Sequence, residues 1–307
     1  MTLVLANTET KEKVIKEFDI KKDDLETGIK TLKEWIQTQP HLPDCLNDKE
    51  LEAVLVMNKN SIERTKKSID TYWSARNRCP EFYTDRDPCL PEIRQSEEAV
   101  KYFPLPELTP EGYRVDVFYV SDLDSKHFDV KSTMKRVLAI ADIRRKEETY
   151  CSGDYIIYDC QHFTISHLSK FTPTLASKAL FCTQEAVSTR MKGIFLINSN
   201  KYVESVVNIF KPLMKEKIAN RIHIFSGDHT ELYKFIPQDI LPNEYGGKAG
   251  SRDELSKAWL KRIESEREWL IKEGSMAADE SKRPADSLVK DSAMFGVVGN
   301  FKKLSFD

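Results

Sequence analysis

The sequence predicts an α/β protein in which a helical amino-terminal domain precedes a mainly parallel sheet with flanking helices. Three observations support this prediction. The first 90 residues carry apolar side chains at helical spacing, four short apolar runs follow between residues 113 and 225, and helix-length segments separate those runs. Short, continuous apolar runs are typical of strands covered on both faces, and helix-length separators indicate crossover connections between parallel strands.

The amino-terminal region shows the helical periodicity most clearly. Leu25, Ile29, Leu32 and Ile36 recur at intervals of four, three and four residues, which places them on one face of a helix. A shorter helix is expected around Leu51 and Leu55. A third helix is expected to begin after Asn60, with Asn60 as its cap.

The stretch TDRDPCLPE at 84–92 contains two prolines and several turn-forming residues, so it predicts a linker. We therefore expect a helical domain at 1–90, an α/β domain at 91–250, and a carboxyl-terminal helix and tail at 251–307. Within the tail, the apolar block at 294–307 is expected to dock. Strands are predicted at 113–120, 154–159, 193–198 and 221–225, and helices at 129–149 and 167–184.

Charge and composition narrow the class of protein. The 47 basic and 49 acidic residues give a formal net charge of −2, which argues against a general nucleic-acid binder. No window approaches the ~18 consecutive apolar residues of a membrane-spanning helix, and the first ten residues lack the basic region of a signal peptide. We expect a soluble, cytoplasmic protein. The six widely spaced cysteines predict reduced thiols and no metal site.

The sequence contains none of the common nucleotide-binding, nucleophile-elbow or zinc-hydrolase motifs. The segment DCQHFTISH places Asp159, Cys160, His162 and His167 at a predicted strand end. One hypothesis is a nucleophilic Cys160–His162 pair, because the thiolate is the reactive form of cysteine. The favoured interpretation is a structural strand-end turn. We therefore predict no catalytic residue, no cofactor and no enzymatic activity.

The segment 199–221 is the most informative in the chain. Val203, Val206, Val207 and Phe210 form one apolar helical stripe, and Pro212 is expected to end that helix near residue 211. Such a helix is either packed permanently on the sheet or able to move as a lid. The residues alone leave both interpretations open.

Basic residues precede two of the predicted strands. If the strands are parallel neighbours, these charges lie side by side and form one patch, which would be attracted to an anionic membrane surface. An ordinary solvated surface is the alternative. The residues concerned are Arg190 and Lys192 before one strand, and Lys211, Lys215, Lys217 and Arg221 before the next.

Three motifs in order, GIFLIN, KPLMKEKIANRIHIF and LPNEYGGKAG (241–250), resemble the CRAL-TRIO family of lipid carriers. The stretch at 61–87 is similar to that family's amino-terminal helical domain, and FGVVGNFKKLSFD is similar to the end of many arthropod members. The resemblance implies a mixed, mainly parallel sheet flanked by helices, with a lid helix that encloses a hydrophobic ligand. It favours the lid interpretation.

The resemblance also implies site residues. The lipid-binding wall is expected to include Phe118, Val137, Ile140, Ile156, Tyr158, Ile194 and Leu196, with Val203, Val207 and Phe210 from the lid. In the α-tocopherol transfer branch of the family, basic residues that contact phosphoinositides correspond to Arg190, Lys192, Lys217 and Arg221 here. A further basic position aligns with Asn58, and its neighbour Lys59 is expected to substitute for it.

Some positions depart from other family members. Carriers that enclose phosphatidylinositol use an Arg, a Glu and a Lys, where this chain has Val56 or Asn58, Thr189 and Arg221; enclosed phosphatidylinositol is therefore disfavoured. Arg136, near the pocket helix, is expected to face solvent.

The function that the resemblance implies is a carrier of a small isoprenoid-, retinoid-, tocopherol- or carotenoid-like lipid. Phosphoinositides are expected to guide its delivery through peripheral, transient contact with a membrane. The alternative is a phospholipid-sensing signalling or scaffold module without transfer activity.

Overall fold

The structure is a computed structural model that describes residues 2–121, 125–187, 189–227 and 229–284 of the chain. Within them, one sheet has the strand order β1-β2-β3-β4-β5, with β1 antiparallel to β2 and the other neighbours parallel. The strands are β1 Val100–Leu108, β2 Tyr113–Val120, β3 Gly153–Asp159, β4 Met191–Ile197 and β5 Ile222–Ile224. The predicted mixed, mainly parallel α/β architecture is confirmed. The block at 294–307, expected to dock, lies outside the described residues.

Helices surround the sheet and form the amino-terminal region. None of those described is long and apolar enough to span a membrane. The helices are α1 Thr8–Glu17, α2 Lys22–Gln37, α3 Asp48–Met57, α4 Ile62–Arg78, α5 Pro80–Tyr83, α6 Pro91–Ala99, α7 Val130–Glu147, α8 Ile165–Leu168, α9 Pro173–Phe181, α10 Lys201–Phe210, α11 Glu216–Ala219, α12 Arg252–Ser265 and α13 Arg267–Gly274.

The helices α1 to α4 share a core of their own, into which Leu25, Leu32 and Ile36 are buried as their spacing predicts. The predicted cap of α4 was wrong by one residue. Ser61 caps the helix by accepting a hydrogen bond from a backbone N–H of the first turn, whereas Asn60 has a left-handed backbone with φ of 55°. Asparagine tolerates that conformation, so it ends the preceding turn.

Strand β1 was not predicted from the residue pattern. It contains Pro104 and Pro106, and proline normally argues against a strand because it lacks the backbone donor. The structure resolves the conflict by placing β1 at the edge of the sheet. There, a missing donor on the outer side breaks no hydrogen bond within the sheet.

The predicted helix at 167–184 is interrupted. The segment forms α8, a break before Pro173, α9, and then a wider helical turn from Cys182 to Ala186. Thr172 caps α9 and Pro173 occupies its first position, where the missing N–H has no helical partner to lose. All six cysteines are free thiols, as predicted.

Helix α7 lies between the sheet and the amino-terminal helices, and this position overturns the prediction for Arg136. That side chain is 3% exposed. Its guanidinium donates to Ser96 Oγ at 3.2 Å and to the carbonyl of Val100 at 3.0 Å. Burial lowers the pKa of Arg136 to about 10, although the charge of Glu97 opposes the effect. A helix packed on both sides leaves this position no path to solvent.

Helix α12 covers the edge of the sheet that β1 forms. Trp259 is buried against that strand and its indole N–H donates to the carbonyl of Pro104 at 2.9 Å. Ser251 and Glu254 form a capping box at the start of α12. The charged helix predicted after residue 250 therefore lies against the sheet, continued by α13. The division into domains at 90 and 250 stays a prediction.

Candidate functional site: an apolar cavity beneath helix α10

An apolar cavity of about 230 Å³ lies between one face of the sheet and the helices α7, α9 and α10. Its walls come from three sources: the sheet, the helices, and the loops that follow β2 and β3. The lining residues are Phe118, Val120, Phe128, Val130, Thr133, Met134, Tyr158, Asp159, Cys160, Phe163, Phe171, Ala179, Leu180, Thr183, Ile194, Leu196, Val203, Val206, Val207, Phe210, Lys211, Met214 and Ile222.

The floor of the cavity follows from strand register. Phe118 on β2 is paired with Tyr158 on β3, and Tyr158 is paired with Leu196 on β4. Because neighbouring partners in a sheet project to the same side, the three side chains form one row across the floor. The rings of Phe118 and Tyr158 lie 5.2 Å apart in a tilted arrangement.

Helix α10 forms the roof. Val203 is buried, Val207 and Phe210 are half-buried and line the cavity, and Asn208 and Ile209 on the opposite side are exposed. At the far end of the helix, the ring of Phe210 meets that of Phe171 edge-on at 5.5 Å. The helix ends at Phe210, next to Pro212, as predicted.

The amino-terminal end of α10 is held by polar contacts. Asn200 caps the helix by accepting from the N–H of Tyr202 at 2.9 Å. Its amide nitrogen also donates to the carbonyl of Phe163 at 2.9 Å, beside β3. Asn198 has a left-handed backbone with φ of 51° and donates to Asp159 at 2.9 Å. The roof is thus anchored at its start by hydrogen bonds and held at its end by apolar contacts.

The structure brings seven of the ten predicted lipid-binding residues to the wall of this cavity. They are Phe118, Tyr158, Ile194, Leu196, Val203, Val207 and Phe210. The other three pack elsewhere in the core: Ile140 and Ile156 are buried among the sheet residues, and Val137 packs against the same cluster. Helix α7 contributes Val130, Thr133 and Met134 instead, which lie nearer its start. The lipid-binding role of all ten stays a prediction.

Sequence reasoning missed the aromatic side of the cavity. Phe128, Phe163 and Phe171 come from loops or from the ends of short helices. Such segments have no periodicity that would assign a facing direction. The one available signal was the density of phenylalanine around the predicted strand ends.

The polar residue at the rim, Asp159, is fully engaged. One carboxylate oxygen accepts from Asn198 and from a backbone N–H, and the other accepts from Tyr245 at 2.8 Å and from Arg252 at 2.7 Å. Tyr245 belongs to the EYGG motif and Arg252 begins α12. This carboxylate therefore ties the end of β3 to the start of α10 and to the carboxyl-terminal helices.

The Cys160–His162 hypothesis gains no geometric support. The Cys160 thiol is buried and donates to the backbone carbonyl of Tyr158 at 3.5 Å. Burial raises the pKa of the Cys160 thiol to about 12, so the thiolate needed for nucleophilic attack is scarce at neutral pH. His167 forms a capping contact with Thr164. These features fit the structural interpretation of the motif.

The basic residues predicted to bind phosphoinositides lie near the end of α1. Arg190 places its guanidinium 4.3 Å from the ring centre of Phe18, and Lys59 approaches the same ring at 5.7 Å. Lys192 pairs with Glu17 at 3.2 Å. Burial, joined by the charge of nearby Arg221, lowers the pKa of Arg190 although Glu17 opposes this.

The remaining members of this group are arranged around β4 and β5. Arg221 donates to the carbonyl of Met191 at the start of β4, and Lys217 is exposed on α11. Asn58 occupies the position that aligns with a basic residue of the relatives, and its amide makes two hydrogen bonds within the protein. It donates to the carbonyl of Val54 at 2.9 Å and accepts from Ser68 at 3.2 Å. Phosphoinositide binding by these residues stays a prediction.

A buried charge cluster lies on the same face of the sheet, at the amino ends of β2 and β3. It joins Arg114 and Arg144 to Asp116, Glu148 and Asp154. Arg144 alone contacts all three carboxylates. Burial raises the pKa of Asp116 to about 7; Arg144 opposes the shift, and Asp154 and Glu148 add to it. The cluster has three carboxyl groups and only two guanidiniums, so one carboxyl group retains its proton more readily than the others. That group is Asp116, whose pKa is raised.

Comparison with known families agrees with this architecture. The CRAL/TRIO domain matches residues 99–247, which contain the whole sheet and the cavity roof. A Pinta-like UBA domain matches residues 21–93, which contain α2 to α5. Residues 99–247 therefore form a CRAL/TRIO domain.

Individual relatives are distant in sequence. The chain is similar to "Alpha-tocopherol transfer protein-like" of Mus musculus, with 27% identity over 80% of this chain and 71% of the relative. The Homo sapiens protein of that name is also 27% identical, over 73% of this chain and 66% of its own length. Clavesin-2 of Homo sapiens is 23% identical over 78% and 74%. Among solved structures, "Crystal structure of Sfh5" aligns with 81% of this chain and 99% of its own at 10% identity and a TM-score of 0.49.

Proposed function

We propose that this chain is a cytoplasmic carrier that encloses one small hydrophobic lipid in the cavity beneath α10 and delivers it to membranes containing phosphoinositides. The observation that carries the proposal is the cavity itself, with seven predicted wall residues around one apolar space. Each methylene transferred from water into such a space contributes about 0.8 kcal/mol. A ligand of ten or more buried carbons is therefore retained without covalent chemistry.

Release requires the roof to open. The apolar stripe of α10 that covers the ligand would then contact the bilayer in its place. Two exposed side chains near the cavity support such an encounter: Ile209 on α10 is 41% exposed and Ile165 on α8 is 56% exposed. The basic residues near α1 would add attraction to anionic headgroups, and this attraction weakens as salt increases.

The first experiment identifies the ligand. Protein isolated from its own tissue is analysed by native mass spectrometry and by organic extraction. We expect one dominant apolar molecule bound one to one. A protein that is empty under every isolation condition, and that acquires no lipid from mixed vesicles, would contradict the carrier function.

The second experiment places the ligand in the cavity. Val207→Trp adds a large side chain at a lining position, whereas Asn208→Trp adds the same side chain at the exposed neighbouring position. We expect the first variant to lose uptake about tenfold and the second to behave as wild type. Circular dichroism melts verify that both are folded. Equal uptake by the two variants would place the ligand elsewhere.

The second candidate function is a phospholipid-sensing module that binds membranes without transferring lipid. The approach of both Lys59 and Arg190 to Phe18 supports it, because neither residue lines the cavity. It predicts tight binding to phosphoinositide vesicles and no measurable movement of lipid between donor and acceptor vesicles. Transfer that depends on Val207 distinguishes the carrier from this module.

A further inference from the structure

One hydroxyl group on the cavity wall both lacks a hydrogen-bond partner among the described residues and is not sealed within the protein. It belongs to Tyr158, in the middle of the sheet, whose ring lies against Phe118 on the floor. Tyr158 is only half-buried although its strand is central, because the space beside it is open. A polar group in that position is available to whatever occupies the cavity.

Three other polar groups of the wall are already engaged. The hydroxyl of Thr183 donates to a backbone carbonyl one turn earlier at 2.9 Å. Both carboxylate oxygens of Asp159 accept hydrogen bonds, and one of these oxygens accepts from both Arg252 and Tyr245. The thiol of Cys160 donates to a carbonyl of its own strand.

Two further polar residues do not compete with Tyr158 for the ligand. The hydroxyl oxygen of Thr133 lacks a partner, but it is sealed within the protein and does not face open space. Lys211 is exposed at the rim, where α10 ends. The interior of the cavity therefore contains no cation among the described residues that line it.

The Tyr158 hydroxyl stays uncharged. Burial raises the pKa of Tyr158 to about 12, and the charge of Asp116 adds to the effect. A neutral phenol both donates and accepts, so it pairs equally well with a hydroxyl or a carbonyl. A carboxylate or phosphate at the same depth would lose its hydration without gaining an opposite charge.

We propose that the ligand is a lipid with a single uncharged hydrogen-bonding group, a hydroxyl or a carbonyl, that pairs with the hydroxyl of Tyr158. Its hydrocarbon portion fills the remaining apolar space. This inference rests on the proposed carrier function and adds the chemical class of the cargo. It makes Tyr158 the residue that distinguishes an alcohol from a hydrocarbon of the same skeleton.

The test uses three probes with one skeleton: farnesol, farnesene and farnesoic acid. Each is titrated into the delipidated full chain and binding is measured by native mass spectrometry. The variant is Tyr158→Phe, which removes the hydroxyl and keeps the ring. The matched control is Tyr155→Phe, on the same strand but on the opposite face of the sheet.

We expect Tyr158→Phe to weaken farnesol binding about fivefold, the usual effect of one neutral hydrogen bond, and to leave farnesene binding unchanged. Tyr155→Phe should change neither. Wild-type protein should bind farnesol more tightly than farnesoate. An equal effect of Tyr158→Phe on farnesol and farnesene, or tighter binding of farnesoate, would overturn the assignment while leaving a carrier. Failure of every probe to bind wild type would contradict the carrier function and this assignment together.

Discussion

The guanidinium of Arg190 lies over the ring of Phe18, 4.3 Å from its centre, at the end of α1. Two more of the basic residues predicted to bind phosphoinositides contact the same helix end: Lys59 lies over that ring, and Lys192 pairs with Glu17. A phosphate that binds these residues must compete with the carboxylate of Glu17. We therefore expect α1 to weaken their interaction with anionic headgroups.

Glu17→Gln should tighten binding to vesicles that contain phosphatidylinositol bisphosphate by up to about fivefold, since a partly exposed ion pair contributes at most about 1 kcal/mol. Vesicle co-sedimentation at fixed salt measures the effect. Glu12→Gln is the control, because it removes the same charge from an exposed position of the same helix. If both variants bind equally, net charge rather than the contact with Lys192 controls binding.

Phe210→Leu should speed release of the ligand. The variant keeps an apolar side chain at the end of α10 but loses the ring contact with Phe171, which is worth about 0.5–1.5 kcal/mol to the closed roof. The rate of transfer of a fluorescent lipid to acceptor vesicles should rise about two- to tenfold. Asn208→Leu, at an exposed position, should leave the rate unchanged. Slower transfer by Phe210→Leu would show that this contact does not restrain opening.

Asp116 should make stability depend on pH. Its pKa is raised to about 7 in the folded state, so the folded protein binds its proton more tightly than the unfolded chain does. Stability should therefore decrease as pH rises from about 4 to about 7, by up to about 1.4 kcal/mol per pH unit for this group, and then level off.

Asp116→Asn removes this contribution. Urea unfolding between pH 5 and 8 should show wild type losing stability relative to the variant as pH rises. The variant keeps Glu148 and Asp154 as partners of Arg144. A stability difference that is constant over this range would mean that Asp116 is already ionised at pH 5.

Trp259→Phe should destabilise the protein by about 1–3 kcal/mol, because the carbonyl of Pro104 loses its buried donor. Chemical denaturation measures the loss, and hydrogen exchange should show faster exchange in β1. Trp35→Phe, at a half-buried position of α2, should cost less than half as much. Equal losses would indicate that ring size, and not the bond to β1, is responsible.

The parallel part of the sheet was predictable because β2 and β3 are short apolar runs whose residues are covered on both faces. Phe118 and Tyr158 were named as wall residues from the resemblance to the CRAL-TRIO family. The register of β2 and β3 explains why both lie on the floor, since paired residues of neighbouring strands project to the same side. Strand β1 was not predicted because its prolines argue against any strand except one at the edge of a sheet. The order of the strands, which makes β1 an edge strand, cannot be read from a local sequence pattern.

The rest of the site depends on how elements are placed. Helix α7 lines the cavity with Met134 and residues nearer the start of the helix, and not with the predicted Val137 and Ile140. The position at which a helix crosses a sheet is set by tertiary packing, so the sequence pattern does not give it. The pairing of Lys192 with Glu17 joins residues 175 positions apart. A local sequence pattern cannot predict such a contact. It also cannot predict that Arg136 is buried on a helix that lies between the sheet and the amino-terminal helices.

The prolines of β1 have a consequence for assembly. The carbonyl of Pro104 accepts from Trp259, and that of Pro106 accepts from the N–H of Val4, so both residues direct their backbone outward from the sheet. Neither supplies an N–H on that side. At these two positions an incoming strand would meet acceptors that are already occupied and no N–H donor, so this part of the border resists the edge-to-edge polymerisation to which open sheets are prone.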